Sequence, residues 1–181
     1  NNIKNQDFLS TLDNYMLDNN LHHDSYFTTG VGNHQMMSAQ FITWRHPSIL
    51  TSGSLGVMGV GLPYAIGAQI AKPDKNIILI DGDGSFNMTL NDLATVSELN
   101  LPIKMFVFND QRLQMVHVWQ DLFFDQNYLA TSMTNPDYCM IAEAHGIPSL
   151  TCDKKEDMKS IIDLAFQEDG PMLINILSEP D

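Results

Sequence analysis

The chain predicts a doubly wound α/β domain, with a mostly parallel sheet flanked by helices, and three observations carry that prediction. The runs Asn76-Ile77-Ile78-Leu79-Ile80-Asp81 and Ile103-Lys104-Met105-Phe106-Val107-Phe108 are apolar almost throughout. A strand with one wet face alternates polar and apolar residues, so runs this continuous belong to strands covered on both faces, as in a parallel sheet. Between the two runs, residues 88–100 place Leu90, Leu93 and Ala94 against Ser97 and Glu98 with helical spacing. The unit therefore reads strand, turn, amphipathic helix, strand.

The other elements follow in chain order. Residues 5–20 carry Phe8, Leu9, Leu12, Tyr15 and Met16 at helical spacing, which predicts a leading helix ended by Asn19-Asn20. A short strand is expected at 26–29, glycine-rich turns from Gly30, and another short strand at 49–51. Residues 59–71 hold Gly61, Ala65, Gly67 and Ala68, with Pro63 near the start. So many small residues predict a helix pressed closely on its neighbours. Asn135-Pro136-Asp137 opens a further helix, which His145-Gly146 and Pro148 end. Asp153 with Glu156 reads as a capping box for a last helix whose inner face is Met158, Ile161, Ile162, Ala165 and Phe166. Gly170-Pro171 stops it, and residues 172–177 form a final buried strand. The expected division is a helix and linker over residues 1–25 and one ligand-binding domain over 26–181.

Composition narrows the partners. The chain has 181 residues, 44% of them hydrophobic, and a formal charge of −13. Nucleic acid and anionic membrane surfaces call for basic patches, so neither is the expected partner. No apolar stretch has the length of a membrane span. Cys139 and Cys152 lack the spacing of a zinc or redox pair, so both are expected as reduced thiols in a reducing compartment, cytoplasmic or organellar. Asn1-Asn2-Ile3-Lys4 opens with neither Met nor a secretion signal, as expected of an excised or processed piece.

The chemistry is concentrated where the two apolar runs end. Gly82-Asp83-Gly84-Ser85-Phe86-Asn87 closes the first, and Asn109-Asp110 closes the second, with 24 residues between Gly84 and Asn109. The carboxyl ends of neighbouring parallel strands open into the crevice where α/β proteins bind ligands. Asp83 is a hard oxygen ligand suited to Mg²⁺ or Ca²⁺. Gly82 and Gly84 let the backbone approach a ligand, and the following helix start offers N–H groups to phosphate. Asn109 and Asp110 are expected to bring further oxygens to the same crevice. An Asp-Gly-Asp-Gly turn alone is a common polar turn; that turn together with Asn109-Asp110 at the end of the neighbouring strand predicts a metal-diphosphate site. Lys72, Lys75 and Lys104 all lie at or before strand openings, so metal and helix termini must supply the positive potential. No G-x-G-x-x-G and no Gly-Lys-Ser or Gly-Lys-Thr occurs, which disfavours a dinucleotide site and excludes a P-loop.

Gly-Asp-Gly, about 25 residues, then Asn-Asn is the thiamine-diphosphate motif, and the chain resembles the carboxyl-terminal cofactor-binding domain of the acetohydroxyacid synthase (acetolactate synthase) family. The resemblance spans about residues 28–177. It includes Gly30-Val31-Gly32-Asn33-His34-Gln35-Met36, Thr43-Trp44-Arg45, Thr51-Ser52-Gly53-Ser54-Leu55-Gly56-Val57-Met58-Gly59, Gly61-Leu62-Pro63-Tyr64-Ala65-Ile66-Gly67-Ala68, Met115-Val116 and Trp119, in order.

That resemblance implies thiamine diphosphate and Mg²⁺ as cofactors, with FAD on a domain outside this chain. It implies that Val31, Gly32, Asn33 and His34 contact the diphosphate, with Gly82, Asp83, Gly84 and Ser85 on the metal turn. Gly56 and Met58 would prop the cofactor in its bent shape, Met58 being the residue closest to catalysis. Asp83, Asp110 and the backbone carbonyl of Arg112 would hold the metal. Gln114, Met115 and Val116 would line the cofactor site, and Trp119 would stand on the substrate side. The implied partners are small 2-keto acids, a pyrimidine-binding domain or homologous subunit that supplies a catalytic glutamate, and a homo-oligomer.

Two positions depart from the family pattern. Asp110 replaces the second Asn of the pair and adds negative charge beside a diphosphate, which predicts weaker cofactor affinity or a preference for Ca²⁺. Gln114 stands where the family has Gly, and a positive φ there would cost about 1 to 2 kcal/mol. The first functional expectation is therefore a carboligase domain that is incomplete and inactive alone. The alternatives are a pyruvate oxidase or decarboxylase type of the wider superfamily, and a non-catalytic scaffold domain derived from such an enzyme.

Overall fold

The apolar runs pair side by side. In the computed structural model, which describes residues 3–179, the strands are β1 (Ser25–Thr29), β2 (Ile49–Leu50), β3 (Asn76–Gly82), β4 (Lys104–Asn109), β5 (Ser149–Cys152) and β6 (Met172–Leu177). Among the described residues they form one six-stranded sheet in the order β2-β1-β3-β4-β6-β5. Every pairing in it is parallel. The terminal pairs Asn1-Asn2 and Pro180-Asp181, at the ends from which an excised piece is expected, lie outside the described residues.

Alternate side chains of the central strands enter two separate cores. Ile78, Ile80, Phe106, Phe108, Ile174 and Ile176 face one side, with helices α1 (Asn5–Asp18) and α8 (Met158–Gln167) packed on them. Ile77, Leu79, Met105, Val107 and Leu173 face the other, under α3 (Gly61–Ala71), α5 (Leu93–Glu98) and α7 (Tyr138–Ala144). Helices cover both faces, which makes the fold doubly wound. The apolar period of α1 is used in full: Phe8, Leu9, Leu12 and Met16 are buried, and Phe8 meets Phe106 and Phe108 at centroid distances of 5.6 and 5.8 Å. Tyr15 stacks on Phe166 at 5.2 Å.

Three expected elements form differently. The helix expected over 88–100 is only α5, preceded by a 3-10 turn, Leu90–Asp92, and by a one-turn helix α4 (Asp83–Phe86) at the strand end. Tertiary bonds break it: the Thr89 hydroxyl donates to the Gly59 carbonyl at 3.0 Å, and Asn87 is drawn to Asn135 at 3.1 Å. The capping box at Asp153 and Glu156 does not form. A 3-10 turn, Lys155–Asp157, leads into α8 without a side-chain cap. Helix α3 starts at Gly61, because Gly59 has φ of +82° and cannot be helical. Its close packing is centred on Gly61, where an added Cβ would lie 2.6 Å from Asp81 Oδ2, whereas Gly67 faces open space.

The remaining ends follow their residue chemistry. Asp137 caps α7 by accepting from the Met140 N–H at 3.0 Å, and Gly146 leaves that helix at φ +72°. Lys104, at the opening of β4, donates to the Glu168 and Gly170 carbonyls, and burial holds its pKa below the usual lysine range. Lys75 pairs with Asp24. Both cations sit at the strand-opening end, away from Asp83. Cys139 and Cys152 are free thiols, and burial pushes the Cys152 pKa up to about 11. No helix among the described residues is long and apolar enough to cross a membrane.

Candidate functional site

The chain runs from β1 to one edge of the sheet and from β3 towards the other. The switch point therefore lies between β1 and β3, where crevices form at the carboxyl ends of strands. Gly82 is in register with Phe108, which brings the Asp83 turn beside Asn109-Asp110. A crevice of about 60 Å³ opens there. From β1 and helix α2 (Asn33–Phe41) it takes Val31, Gly32, Asn33 and His34. From the metal turn it takes Gly82, Asp83, Gly84 and Ser85, and from the loop before α3 it takes Met58. Asp110, Arg112, Gln114, Met115 and Val116 close it, the last three from the start of helix α6 (Gln114–Phe123).

Two helix amino termini, those of α2 and α6, thus converge on one crevice in a chain of formal charge −13. Their dipoles and free amides favour an anion there. Gly32 enters α2 at φ +151°, a conformation that favours glycine. His34 is buried, with Nε2 3.2 Å from the fully buried Asp81 carboxylate. Its ring crosses Gly82 so closely that a Cβ there would lie 2.6 Å from Nδ1.

Asp83 is held through both of its carboxylate oxygens. Its Oδ1 accepts from the Gly84 N–H at 2.7 Å, and Oδ2 accepts from the Gln111 N–H and Asn135 Nδ2, both at 2.7 Å. Burial raises its pKa even though these bonds oppose the shift. Asp110 accepts from the Arg112 N–H at 3.0 Å, and burial followed by the Asp83 charge pushes its pKa up to about 7. A buried and a half-buried carboxylate raised in this way form a donor set that a hard divalent cation would relieve, so the residues fit such a cation.

Some expected residues fall elsewhere. Gly56 lies outside the crevice, on an exposed turn at φ +64°, and of its segment Met58 reaches the lining. Trp119 also lies outside the lining and is 52% exposed. Asn109 does not offer its oxygen to the crevice. Its Oδ1 accepts from Asn135 Nδ2 at 2.8 Å, and its Nδ2 donates to Asn175 at 3.1 Å, so the amide joins β4 to β6. Gln114 is not strained: it is the first residue of α6, and the positive φ falls on Gln111, at +57°.

Contacts that sequence reasoning did not foresee bind the site together. The Gly59 N–H donates to Ser85 Oγ at 2.9 Å, so Ser85 and Thr89 tie the Met58 loop to the metal turn. Asn135 reads as part of a helix start, but its side chain reaches Asp83 instead. The buried Asp81 sits inside the apolar run itself, and Asn5 of α1 also lines the crevice. Gly30 is packed so tightly that an alanine Cβ would lie 2.0 Å from Ser85 Oγ and 2.1 Å from Asp81 Oδ1. Gly30→Ala is therefore expected to destabilise the chain by about 3 kcal/mol, the upper end of ordinary overpacking. An unchanged urea midpoint would contradict this.

Fold and crevice together define a cofactor-binding domain of the doubly wound α/β class. Residues 30–176 match the family described as thiamine pyrophosphate enzyme, C-terminal TPP binding domain, and the chain belongs to that family. It is 42% identical over 178 residues to the mitochondrial acetolactate synthase catalytic subunit of Aspergillus candidus, covering 98% of this chain and 25% of the relative. It is 45% identical over 150 residues to the mitochondrial acetolactate synthase catalytic subunit of Saccharomyces cerevisiae, covering 82% of this chain and 22% of the relative. Against the acetolactate synthase isozyme 2 large subunit of Escherichia coli, identity is 43% over 155 residues, covering 84% and 28%. The chain spans about a quarter of the length of these relatives.

Proposed function

We propose that residues 26–181, led by the helix and linker of residues 1–25, bind thiamine diphosphate and Mg²⁺ for an acetolactate-synthase-like carboligase. The observation that carries this reading is the convergence on one crevice of Asp83, Asp110, Met58 and the amino termini of α2 and α6. When bound, thiamine diphosphate supplies the carbanion chemistry by which pyruvate loses CO₂ and its two-carbon remainder joins a second 2-keto acid.

The chain's own residues do the binding and orienting. Asp83, Asp110 and the Arg112 carbonyl hold the cation. Val31, Gly32, Asn33 and His34 receive the diphosphate at the start of α2, where the dipole and backbone amides offset its charge. Met58 is anchored through its neighbour Gly59 to Ser85 and Thr89, which suits it to support a bent cofactor. Holding reacting groups in one geometry is a large part of the barrier reduction in such chemistry. Gln114, Met115 and Val116 shield the same crevice, and Trp119 lies further along α6 on the substrate side.

The glutamate that promotes proton removal comes from a pyrimidine-binding partner or a second subunit, and FAD belongs to a domain beyond this chain. Trp119, Leu122, Phe123, Phe124 and Leu129 are all more than half exposed, which supports a partner surface along α6 and the loop after it. A reducing cytoplasmic or organellar compartment fits the free thiols.

Calorimetric titration of thiamine diphosphate into the 181-residue chain tests this reading. Saturable one-to-one binding that requires Mg²⁺ is expected, with carboligation restored when a pyrimidine-domain partner is added. No heat at millimolar cofactor and metal would overturn it in favour of a scaffold role.

A further inference from the structure

We infer that Asn135 is a positioning residue for the metal site, fixing which oxygen of Asp83 is left to a divalent cation; this rests on the proposed cofactor role of Asp83. Asn135 lies between α6 and α7, remote in sequence from the metal turn. Its Nδ2 donates to Asp83 Oδ2 at 2.7 Å and to Asn109 Oδ1 at 2.8 Å. Its Oδ1 accepts from Asn87 Nδ2 at 3.1 Å, and Asn87 Oδ1 accepts from the Tyr138 hydroxyl at 3.1 Å.

Those bonds fix the orientation of the amide. Reversed, Asn135 would point its oxygen at two acceptors, Asp83 Oδ2 and Asn109 Oδ1, and its amino group at the donor of Asn87. Asn109 is itself held from behind by its bond to Asn175 at 3.1 Å. A chain of amides from β6 through β4 therefore ends on Asp83.

A carboxylate oxygen has two acceptor sites. Asp83 Oδ2 uses both, on the Gln111 N–H and Asn135 Nδ2, whereas Oδ1 uses one, on the Gly84 N–H. The remaining capacity for a cation is on Oδ1. Without Asn135 each oxygen would keep one bond, to the Gly84 N–H or the Gln111 N–H, and either could then be offered to a cation. Residues that orient a metal ligand from behind commonly change metal affinity by about 10 to 100-fold.

The test measures how strongly Mg²⁺ tightens thiamine diphosphate binding in the full 181-residue chain, by calorimetry with Mg²⁺ and with a chelator. In Asn135→Ala the tightening by Mg²⁺ is expected to fall about 10 to 100-fold, while binding in chelator changes by less than about threefold. General structural damage would lower both affinities together, and that result, or an unaltered Mg²⁺ effect, overturns the inference. Asn135→Leu fills the same space without a donor, and must show the same split if the alanine variant does not fold. If the unsubstituted chain binds no thiamine diphosphate, the cofactor reading fails and this inference with it. If that chain binds and the variants match it, only the role of Asn135 fails.

Discussion

Asp83→Asn is expected to weaken Mg²⁺-dependent thiamine diphosphate binding by at least about 100-fold, because residues that merely orient a ligand already cost up to that much. The substitution keeps the shape of the side chain but removes the charge that a cation needs. Oδ2 and its two donors, the Gln111 N–H and Asn135 Nδ2, are placed to meet an amide carbonyl oxygen equally well. The amide's NH₂ group would then face the Gly84 N–H, which loses its acceptor. Burial disfavours the charge of Asp83, so the metal-free variant should keep or gain resistance to urea once that charge is gone. Affinity and stability thus move in opposite directions. Equal loss of both would mean that Asp83 serves the fold and not a cation.

The second large effect is a pH dependence carried by Asp110. Its pKa is pushed from the ordinary aspartate value of 3.8 up to about 7, chiefly by burial and then by the Asp83 charge. Between those two values the folded chain holds a proton that the unfolded chain has lost. Stability of the metal-free protein must therefore fall as pH rises from about 4 to about 7, since the slope follows protons bound unfolded minus folded. At about 1.4 kcal/mol per unit, the whole effect is on the order of 4 kcal/mol. Cation binding displaces the same proton, so Mg²⁺ affinity should rise with pH up to about 7 and then level off.

Asp110→Asn separates these statements. The variant has no proton to lose, so its metal-free stability should be flatter across that window. Its cofactor affinity should exceed that of the unsubstituted chain below neutrality, where Asp110 is protonated, and approach it at higher pH. Urea midpoints and calorimetric titrations at pH 5.5, 6.5 and 8 would check both. An unchanged or lower affinity in the variant at pH 5.5 would refute the view that Asp110 handicaps the site.

The free-standing apolar runs made the sheet legible from sequence. Ile77 to Ile80 and Met105 to Phe108 serve both cores, so they could not be disguised by a wet face. The glycine and asparagine turns at their ends were equally readable, because strand ends on a parallel sheet have few roles besides binding. What local pattern could not supply was the length of the helix after Asp83. Residues 88–100 have helical spacing, yet Thr89 and Asn87 find partners in Gly59 and Asn135 that are far away in sequence. Hydrogen bonds of that range overrode local preference.

Asn109 and Asn135 exchanged expectations for the same reason. Asn109 belongs to the motif but braces the sheet, whereas Asn135 belongs to a helix start but holds Asp83. A side-chain amide can both donate and accept, so its type does not say which neighbour will use it. Gln114 shows the complementary case for backbone: the strain expected there is carried three residues earlier by Gln111.

By itself the sequence determined the doubly wound class, the strand ends that form the crevice, and membership of a thiamine pyrophosphate enzyme family. The first two depend on periodicity and on spacing along one chain, and the third on resemblance to the family segment by segment. The tertiary structure alone decided which oxygens of Asp83 are occupied, why Asp110 holds its proton towards neutrality, and which amide supports the metal turn. Each of those depends on burial and on donors brought from other elements, and neither exists until the chain has folded.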